Sequence, residues 1–201
     1  MKRVSKKPLR QKQKPGNVRI IAGQWRGRKL PVADIDGLRP TTDRNKETLF
    51  NWLMGDLHDA RCLDVFAGSG GLGFEALSRY AKHCTFIEYD RAVAEQLTQN
   101  TRILEADAKV IQGEALKTLP TLDEAFDIIF IDPPFNKNLA TPAIQQILQH
   151  NLIKPDGVIY VEREITAPPL PADPRLIQIK EKRLAQVQYQ LLRYDVSANQ
   201  D

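Results

Sequence analysis

Strand-like and helix-like segments alternate from residue 61 onward, and this alternation constrains the fold more than any other feature. Short apolar runs, which indicate buried strands, are separated by stretches whose apolar residues recur at helical spacing. Such alternation is typical of an α/β fold in which a parallel sheet is covered by helices on both faces. The predicted strands are Arg61–Phe66, His83–Tyr89, Lys109–Ile111, Phe126–Ile131 and Val158–Val161, and the predicted helices cover about 74–82, 91–104 and 144–152.

The segments that flank this core follow other patterns. After Pro168-Pro169 the apolar residues alternate with period two, which predicts a terminal antiparallel hairpin near 177–191. Before the core, we expect a helix over about 43–54 and a short β-hairpin over 18–32, with turns at Gly23 and Gly27. Residues 1–17 are rich in Lys, Gln and Pro and show no apolar period, so they are predicted to be disordered.

Composition limits where the chain can work. The 201 residues contain 42% hydrophobic side chains, enough for one sizeable core, but no apolar run is long enough to span a bilayer. The charged N-terminus does not resemble a signal peptide. The two cysteines, Cys62 and Cys84, both lie in apolar segments and read as buried free thiols. We therefore expect a cytoplasmic protein that acts as a monomer, without a membrane or a metal.

Charge is distributed unevenly along the chain. Residues 1–30 contain eleven Lys or Arg and no acid, whereas the rest holds 18 basic and 25 acidic residues, a net charge of −7. Basic arms of this kind bind polyanions, nucleic acid first among them. An aromatic ring among guanidinium groups adds stacking to charge. The candidate RNA-binding residues are Arg19, Trp25, Arg26, Arg28 and Lys29.

A glycine-rich turn follows the first predicted core strand. Gly68, Gly70 and Gly73 fit the spacing G-x-G-x-x-G, which is usually associated with dinucleotides. Asp64 lies immediately before this turn, where a fixed carboxylate would repel a pyrophosphate. The sulfonium and ammonium of S-adenosylmethionine would instead be attracted. We therefore favour this methyl donor over a nicotinamide cofactor, with Phe66 also beside it.

Acids at the ends of later strands extend this candidate cofactor site. Glu88 lies 20 residues beyond Gly68, where an acid would accept hydrogen bonds from ribose hydroxyls. Tyr89 and Glu114 would then flank the adenine, and Glu114 could accept from its amino group. Asp90 reads better as a helix N-cap than as a ligand.

The tetrapeptide Asp132-Pro133-Pro134-Phe135 ends the fourth predicted strand. Two prolines lack backbone N–H groups, so nearby carbonyl oxygens stay available to accept hydrogen bonds. With a carboxylate on one side and a ring on the other, the motif suits a flat group that bears an exocyclic NH2, such as a nucleobase. A plain proline turn at the end of a strand is the alternative. Because ligands of parallel α/β sheets bind beyond the carboxyl ends of the strands, we expect this motif to lie beside the cofactor site and Asp132 to touch both ligands.

At this point the chain resembles a known family, the RsmD-type 16S ribosomal RNA guanine-N2 methyltransferases, which have the Rossmann-like class I methyltransferase fold. The resemblance extends from about Arg19 to Tyr194, and the motifs that support it occur in the same order as in the family. They are RIIAGQWRGR at 19–28, LRPTTDR at 38–44, FNWL at 50–53, the glycine turn at 64–73, EYDR at 88–91 and DPPF at 132–135. The family carries Asn-Ala where this chain has Glu114-Ala115.

The resemblance implies a seven-stranded, mostly parallel sheet and a small-subunit ribosomal RNA substrate, 16S rRNA, within a partly assembled particle. It also implies that the basic hairpin grips RNA and that Arg39 and Thr41 border the mouth of the active site. The expected domains are a leader at 1–17, an RNA-binding hairpin extension at 18–38 and a methyltransferase domain at 39–201.

Three other functions stay open at this level. The tetrapeptide cannot separate guanine N2 from adenine N6, so an adenine-N6 methyltransferase acting on RNA or DNA is the nearest alternative. The glycine spacing also fits a nicotinamide oxidoreductase, which would leave Asp132 without a role. A non-catalytic assembly factor would have no need of an intact Asp64, Glu88 and Asp132.

Overall fold

The structure, a computed structural model, describes residues 16–33 and 43–199. These residues form a two-stranded and a seven-stranded sheet. The strands are β1 (Asn17–Arg19), β2 (Lys29–Pro31), β3 (Arg61–Asp64), β4 (His83–Glu88), β5 (Ala108–Gln112), β6 (Phe126–Ile131), β7 (Ile153–Glu164), β8 (Leu176–Leu184) and β9 (Val187–Tyr194). The helices are α1 (Asp43–Trp52), α2 (Gly71–Ser78), α3 (Arg91–Leu104), α4 (Ala115–Thr118) and α5 (Ala140–Gln149).

The large sheet has the strand order β5-β4-β3-β6-β7-β9-β8. Strands β3 to β7 are parallel, and β9 pairs antiparallel with both β7 and β8. The chain builds outward from β3 to β5 and then returns to place β6 on the other side of β3. This reversal creates a switch point between β3 and β6, where ligands of such sheets bind. The predicted α/β class, the mostly parallel seven-stranded sheet and the C-terminal hairpin are confirmed.

Alternate residues of the strands face two separate apolar cores. One core contains Cys62, Phe86, Phe130 and Tyr160 and is covered by α1, α2, α3 and the N-terminal hairpin. The other contains Leu63, Ile87, Ile129 and Ile159 and is covered by α4 and α5. Both cysteines are buried and free, as expected. Since side chains alternate along a strand, the position of a residue at a strand end fixes which face it serves.

The small N-terminal hairpin is present and packs along α2. β1 and β2 pair antiparallel, and the turn between them uses Gly23 and Gly27 at φ +80° and +83°, as the sequence predicts. Buried Glu75 of α2 accepts the backbone N–H groups of Ile21 and Ala22 at 2.9 and 3.0 Å. Ser78, at the end of α2, donates to the Ala22 carbonyl oxygen at 2.6 Å and accepts from Trp25 N at 3.0 Å.

Several element boundaries differ from the expected ones; β3 ends at Asp64 and not at Phe66, and α5 covers Ala140–Gln149 and not 144–152. α2 begins and ends earlier than predicted, because the chain reverses at Tyr80, a non-glycine residue at φ +72°, and Ala81 N returns to the Ala76 carbonyl at 3.0 Å. β7 is much longer than Val158–Val161, since an irregularity in its pairing with β6 lets the strand start at Ile153. The four-residue helix α4 was not expected, because one turn carries no apolar period.

Three expectations fall wholly or partly outside the described residues. The leader at 1–17 is described only from residue 16, and the boundary between 38 and 39 lies in the undescribed range 34–42. The helix start at residues 40–42 lies in that range as well. None of the described helices is long and apolar enough to cross a membrane.

Candidate active site

Four acidic side chains lie at the carboxyl ends of adjacent strands, on one face of the sheet. Asp64 ends β3 and Glu88 ends β4, Asp132 follows β6, and Glu162 lies near the end of β7. The register pairs Asp64 with Phe86 and Phe130, and Ile131 with Val161. The side chains of all four acids therefore point to the face of the sheet that α1 to α3 cover. Glu88, Asp132 and Glu162 are level with one another across the sheet, and Asp64 lies two residues before that level.

The glycine turn is built by close packing around Asp64. Asp64 is only 2% exposed, and its Oδ2 accepts the backbone N–H of Gly73 at 3.1 Å. A Cβ at Gly73 would lie 2.2 Å from the Phe86 ring, so this glycine lets α2 lie directly against β4. Gly70 has φ +76°, and a Cβ there would meet the Phe74 ring at 2.5 Å. The turn can thus hold the carboxylate only with glycine at these two positions.

Glu88 links the glycine turn to the start of α3. Its Oε2 accepts from Gly68 N at 2.8 Å and its Oε1 from Asp90 N at 2.7 Å. Asp90 is the N-cap of α3 and accepts from Ala92 and Val93, as expected. Each Glu88 oxygen keeps a second lone pair for a further donor, so the side chain is oriented by the backbone and still able to bind a hydroxyl.

Crowding of acids raises the proton affinity of this edge. Burial raises the pKa of Asp64 to about 7, the Gly73 hydrogen bond opposes this, and the charges of Asp132 and Glu88 add to it. Burial and then the charge of Asp132 raise the pKa of Glu162 to about 8. Burial also raises the pKa of Glu88. A cation placed among these groups would relieve their mutual repulsion.

The remaining predicted cofactor residues surround the outer rim of the site. Phe66 is partly buried and packs against the core under α4 and α5. Tyr89 is 74% exposed, and its carbonyl accepts from Gln112 Nε2 at 2.8 Å. Glu114 precedes α4, and its carboxylate pairs with Lys117 at 2.6 Å. The assignment of these three residues as cofactor ligands stays a prediction.

The tetrapeptide forms the corner at the end of β6. Asp132 is half-buried, Pro133 is buried and Pro134 is exposed, so the two prolines turn the chain out of the sheet. Phe135 presents 37% of its surface to solvent. The next residue, Asn136, adopts φ +61°, and its N–H donates to Glu164. The corner therefore places a carboxylate beside Glu162 and an accessible ring above it.

Sequence reasoning missed a polar group that borders Asp132. Glu162 Oε2 accepts the Tyr160 hydroxyl at 3.3 Å. Tyr189 is the cross-strand partner of Glu162 on β9, and its hydroxyl accepts from Asn45 Nδ2 of α1 at 2.8 Å. Glu162 directly follows the predicted strand Val158–Val161, just as Asp132 follows β6. Ligands of parallel sheets bind at the carboxyl ends of the strands, and the same reasoning applied to Val158–Val161 would have identified Glu162.

The predicted RNA-binding residues lie on the hairpin, with their charges in solvent. Arg19, Arg26, Arg28 and Lys29 are exposed, and Trp25 is half-buried. Trp25 and Arg28 line a groove of about 520 Å³ beside the ends of α2 and α3. The hairpin turn lies at the C-terminal end of α2, whereas the acids lie at its N-terminal end. Arg39 and Thr41, predicted at the active-site mouth, lie outside the described residues.

Within the described ranges, no group of three or more His, Cys, Asp or Glu is placed to hold a metal ion. What the crevice offers is instead a glycine turn, hydrogen-bonded acids and a proline corner. A solved structure from Escherichia coli, the protein yhhF assigned as a methyltransferase, is similar with a TM-score of 0.82 and 48% identity, over 90% of this chain and 99% of that one. The fold and the crevice define a class I methyltransferase, and the chain is an enzyme of this class.

The family is equally clear. A family model described as Conserved hypothetical protein 95 matches residues 18–193, and the chain belongs to that family. Its curated relatives include the Ribosomal RNA small subunit methyltransferase D of Haemophilus influenzae, 51% identical over 181 residues, 88% of this chain and 93% of the relative. The protein of the same name from Escherichia coli K12 is 47% identical over 189 residues, 92% of this chain and 94% of the relative.

Proposed function

We propose that this chain transfers a methyl group from S-adenosylmethionine to the exocyclic N2 of a guanine in 16S ribosomal RNA. The observation that carries the proposal is the row of acids at the switch point. Burial and then the charges of Asp132 and Glu88 raise the pKa of Asp64, and burial raises that of Glu88, which favours a positively charged ligand. The names of the relatives at 51% and 47% identity support ribosomal RNA of the small subunit as the substrate.

The cofactor assignment rests on how the glycine turn presents its charges. Asp64 would bind the ammonium or sulfonium end of the donor, next to a backbone that Gly68, Gly70 and Gly73 keep close-packed. Glu88 would accept from the ribose hydroxyls through the lone pairs that its backbone donors leave open. Tyr89 and Glu114 would flank the adenine. The bound donor supplies an electrophilic methyl carbon; a pyrophosphate at the same place would face Asp64 and be repelled.

The proline corner would prepare the accepting nitrogen. The lone pair of an exocyclic amine is delocalised into its ring, which makes the nitrogen a poor nucleophile. Asp132 would accept one N–H and a carbonyl oxygen near Pro133 the other, which would free this lone pair for in-line attack on the methyl carbon. The bond from that carbon to sulfur would break as the new one forms, and the donor would leave as a neutral thioether. Proximity and orientation supply much of the remaining acceleration. The nitrogen then loses one proton, which Asp132 or water accepts. Phe135 would stack on the base, which must leave its helix to reach the corner.

The hairpin would hold the RNA that surrounds the target base. Its exposed cations would contact phosphates, and Trp25 would offer a stacking surface. An α-helix rises about 1.5 Å per residue, so the eight residues of α2 put the hairpin turn about 12 Å or more from the acids. A single segment of RNA could therefore contact both the hairpin turn and the acids. We further propose that Arg39 and Thr41 border the mouth of the active site, that the substrate is a partly assembled particle, and that the enzyme works in the cytoplasm as a monomer.

Calorimetry and nucleoside mapping test the proposal together. Titration should give binding of S-adenosylmethionine and none of NADH. Small-subunit RNA from cells that lack this protein should lose one N2-methylguanosine, and purified protein should restore it with labelled methyl groups. Appearance of N6-methyladenosine instead would establish the adenine-directed alternative. Tight NADH binding without methyl transfer would overturn the proposal.

A further inference from the structure

Glu162 is the nearest neighbour of Asp132 across the sheet, and the proposed chemistry gives it no role. β6 and β7 are parallel and pair Ile131 with Val161, so Asp132 and Glu162 occupy the next level side by side. Neighbouring strands lie about 4.8 Å apart, and the two carboxyl groups point to the same face. Glu162 is only 8% exposed. A buried acid beside a second acid is costly and calls for an explanation.

Hydrogen bonds orient Glu162 and leave one of its oxygens open. Oε2 accepts the Tyr160 hydroxyl. Oε1 accepts no hydrogen bond from the part of the chain that the structure describes, yet it is not among the fully enclosed atoms without a partner. Tyr189, held by Asn45, lies across from Glu162 on β9 and closes the far side. Asp132 lies on the opposite side of Glu162, since β6 and β9 flank β7.

Guanine and adenine differ in what they present next to the exocyclic amine. Guanine carries the donor N1–H beside its N2 amine, whereas adenine carries an N1 lone pair beside its N6 amine. Two adjacent carboxylates accept from two adjacent donors and repel a lone pair. We infer that Glu162 selects guanine by accepting its N1–H while Asp132 binds the N2 amine. This inference rests on the proposed function, because it needs a base at the proline corner.

The electrostatics of the pair require Glu162 to lose its proton when the base binds. Among residues 16–33 and 43–199, the titratable groups that face Glu162 are Asp132 from β6, Tyr160 from its own strand and Tyr189 from β9. Burial first and then Asp132 raise the pKa of Glu162, so the free site takes up a proton readily. A cationic donor and an incoming N–H both favour the charged form. Adenine would leave a buried acceptor without a partner, the kind of mismatch that enzymes reject most strongly.

A base analogue that keeps the amine but lacks the N1–H donor tests this contact. 2-Aminopurine keeps the amine at position 2 but has a lone pair at N1 and no oxygen at position 6. Small-subunit RNA carrying guanine or 2-aminopurine at the methylated position is compared for wild type, Glu162→Ala and Glu162→Gln. Glu95→Gln, on the exposed face of α3, is the matched control. Thermal midpoints and S-adenosylmethionine affinities verify that the variants fold.

The ratio of kcat/KM for guanine to that for 2-aminopurine decides the inference. We expect a ratio of about 100 for wild type and Glu95→Gln, and about 10 or less for Glu162→Ala. Glu162→Gln should give the smallest ratio, since its amide can donate to N1. An unchanged ratio in both variants would overturn the inference, as would loss of activity on both substrates with cofactor binding intact. If wild type makes no N2-methylguanine at all, the proposed function itself fails. If Glu162→Ala does not fold, the ratio for the isosteric Gln variant decides alone.

Discussion

Buried carboxylates lie both in the acidic crevice and in α2 beneath the basic hairpin, but their surroundings are opposite. Glu75, under the hairpin, accepts two backbone N–H groups and pairs with Arg79 at 2.8 Å and with buried Lys46 at 4.0 Å. Lys46 also donates to the Arg19 carbonyl. In the crevice, the charges of the described residues that act on Asp64 are those of the acids Asp132 and Glu88.

This difference separates a structural acid from one placed for a ligand. The cost of burying Glu75 is offset within the protein, because cations and backbone donors surround it. The cost at Asp64 and Glu162 remains partly uncompensated, as their raised pKa values show. A charged ligand can recover that free energy on binding. Variants that change the crevice or the hairpin separately test this difference.

The largest effect should come from Asp132→Ala. Removal of the carboxylate that orients the amine should lower kcat by about 1,000-fold or more. Cofactor binding should persist, because Asp64, Glu88 and the glycine turn stay in place. Single-turnover methyl transfer and calorimetry measure the two quantities. Asp123→Ala, an exposed acid outside the crevice, should change neither. Near-wild-type turnover in Asp132→Ala would contradict the assigned chemistry.

The double substitution Arg26→Ala/Arg28→Ala attacks the hairpin alone. Loss of two phosphate contacts should weaken RNA binding about 10-fold at moderate salt and reduce the salt slope by about 2. Cofactor binding should be unchanged, since the hairpin turn lies at the far end of α2. Filter binding over a salt series is the measurement, with the exposed β8 residue Lys180→Ala as the control. Equal salt slopes for all three proteins would exclude the hairpin as an RNA grip.

Most of the fold could be predicted from the sequence, because the pattern of apolar residues is clearest in the elements that are fully buried. Phe126–Ile131 is apolar except for Asp127 and is a strand with those same ends. Predictions failed where tertiary contacts override local pattern. Ala81 is buried like a helical residue, yet it lies beyond the reversal at Tyr80. The start of β7 depends on its irregular pairing with β6, which no local signal reveals.

The candidate site could be predicted at strand ends that carry a motif, and not elsewhere. Asp64 precedes a glycine turn and Asp132 a double proline, so both are conspicuous in sequence. Glu162 has no such neighbour, and its place beside Asp132 depends on the register of β6 and β7. Asn45 comes close only because α1 packs across β9, a contact between residues 144 positions apart. Sequence alone therefore predicts the cofactor side better than the base side.

Cofactor affinity should depend on pH through Asp64. The pKa of this group is raised to about 7 in the free protein, and a cation stabilises its charged form, so binding must release a proton. Affinity should therefore rise about fivefold between roughly pH 6 and pH 7.5 and level off above. Calorimetry in two buffers of different ionisation enthalpy measures both the affinity and the proton. Asp64→Asn should bind more weakly and without this dependence. A proton taken up on binding would contradict the sign.

The smallest effect should come from Ser78→Ala, which loosens the hairpin without touching its charges. The hydroxyl of buried Ser78 donates to the Ala22 carbonyl and accepts from Trp25 N. Its removal leaves both backbone groups without this partner, which should lower the local stability of the hairpin contact by about 1–2 kcal/mol. RNA affinity should fall about threefold with an unchanged salt slope, because the same cations remain but are held less rigidly. Hydrogen exchange at Trp25 should quicken while α3 stays protected. Thr98→Ala, whose hydroxyl bonds only within α3 at 2.9 Å, is the control. A changed salt slope would mean that Ser78 sets the charge contacts themselves and not the rigidity of the hairpin.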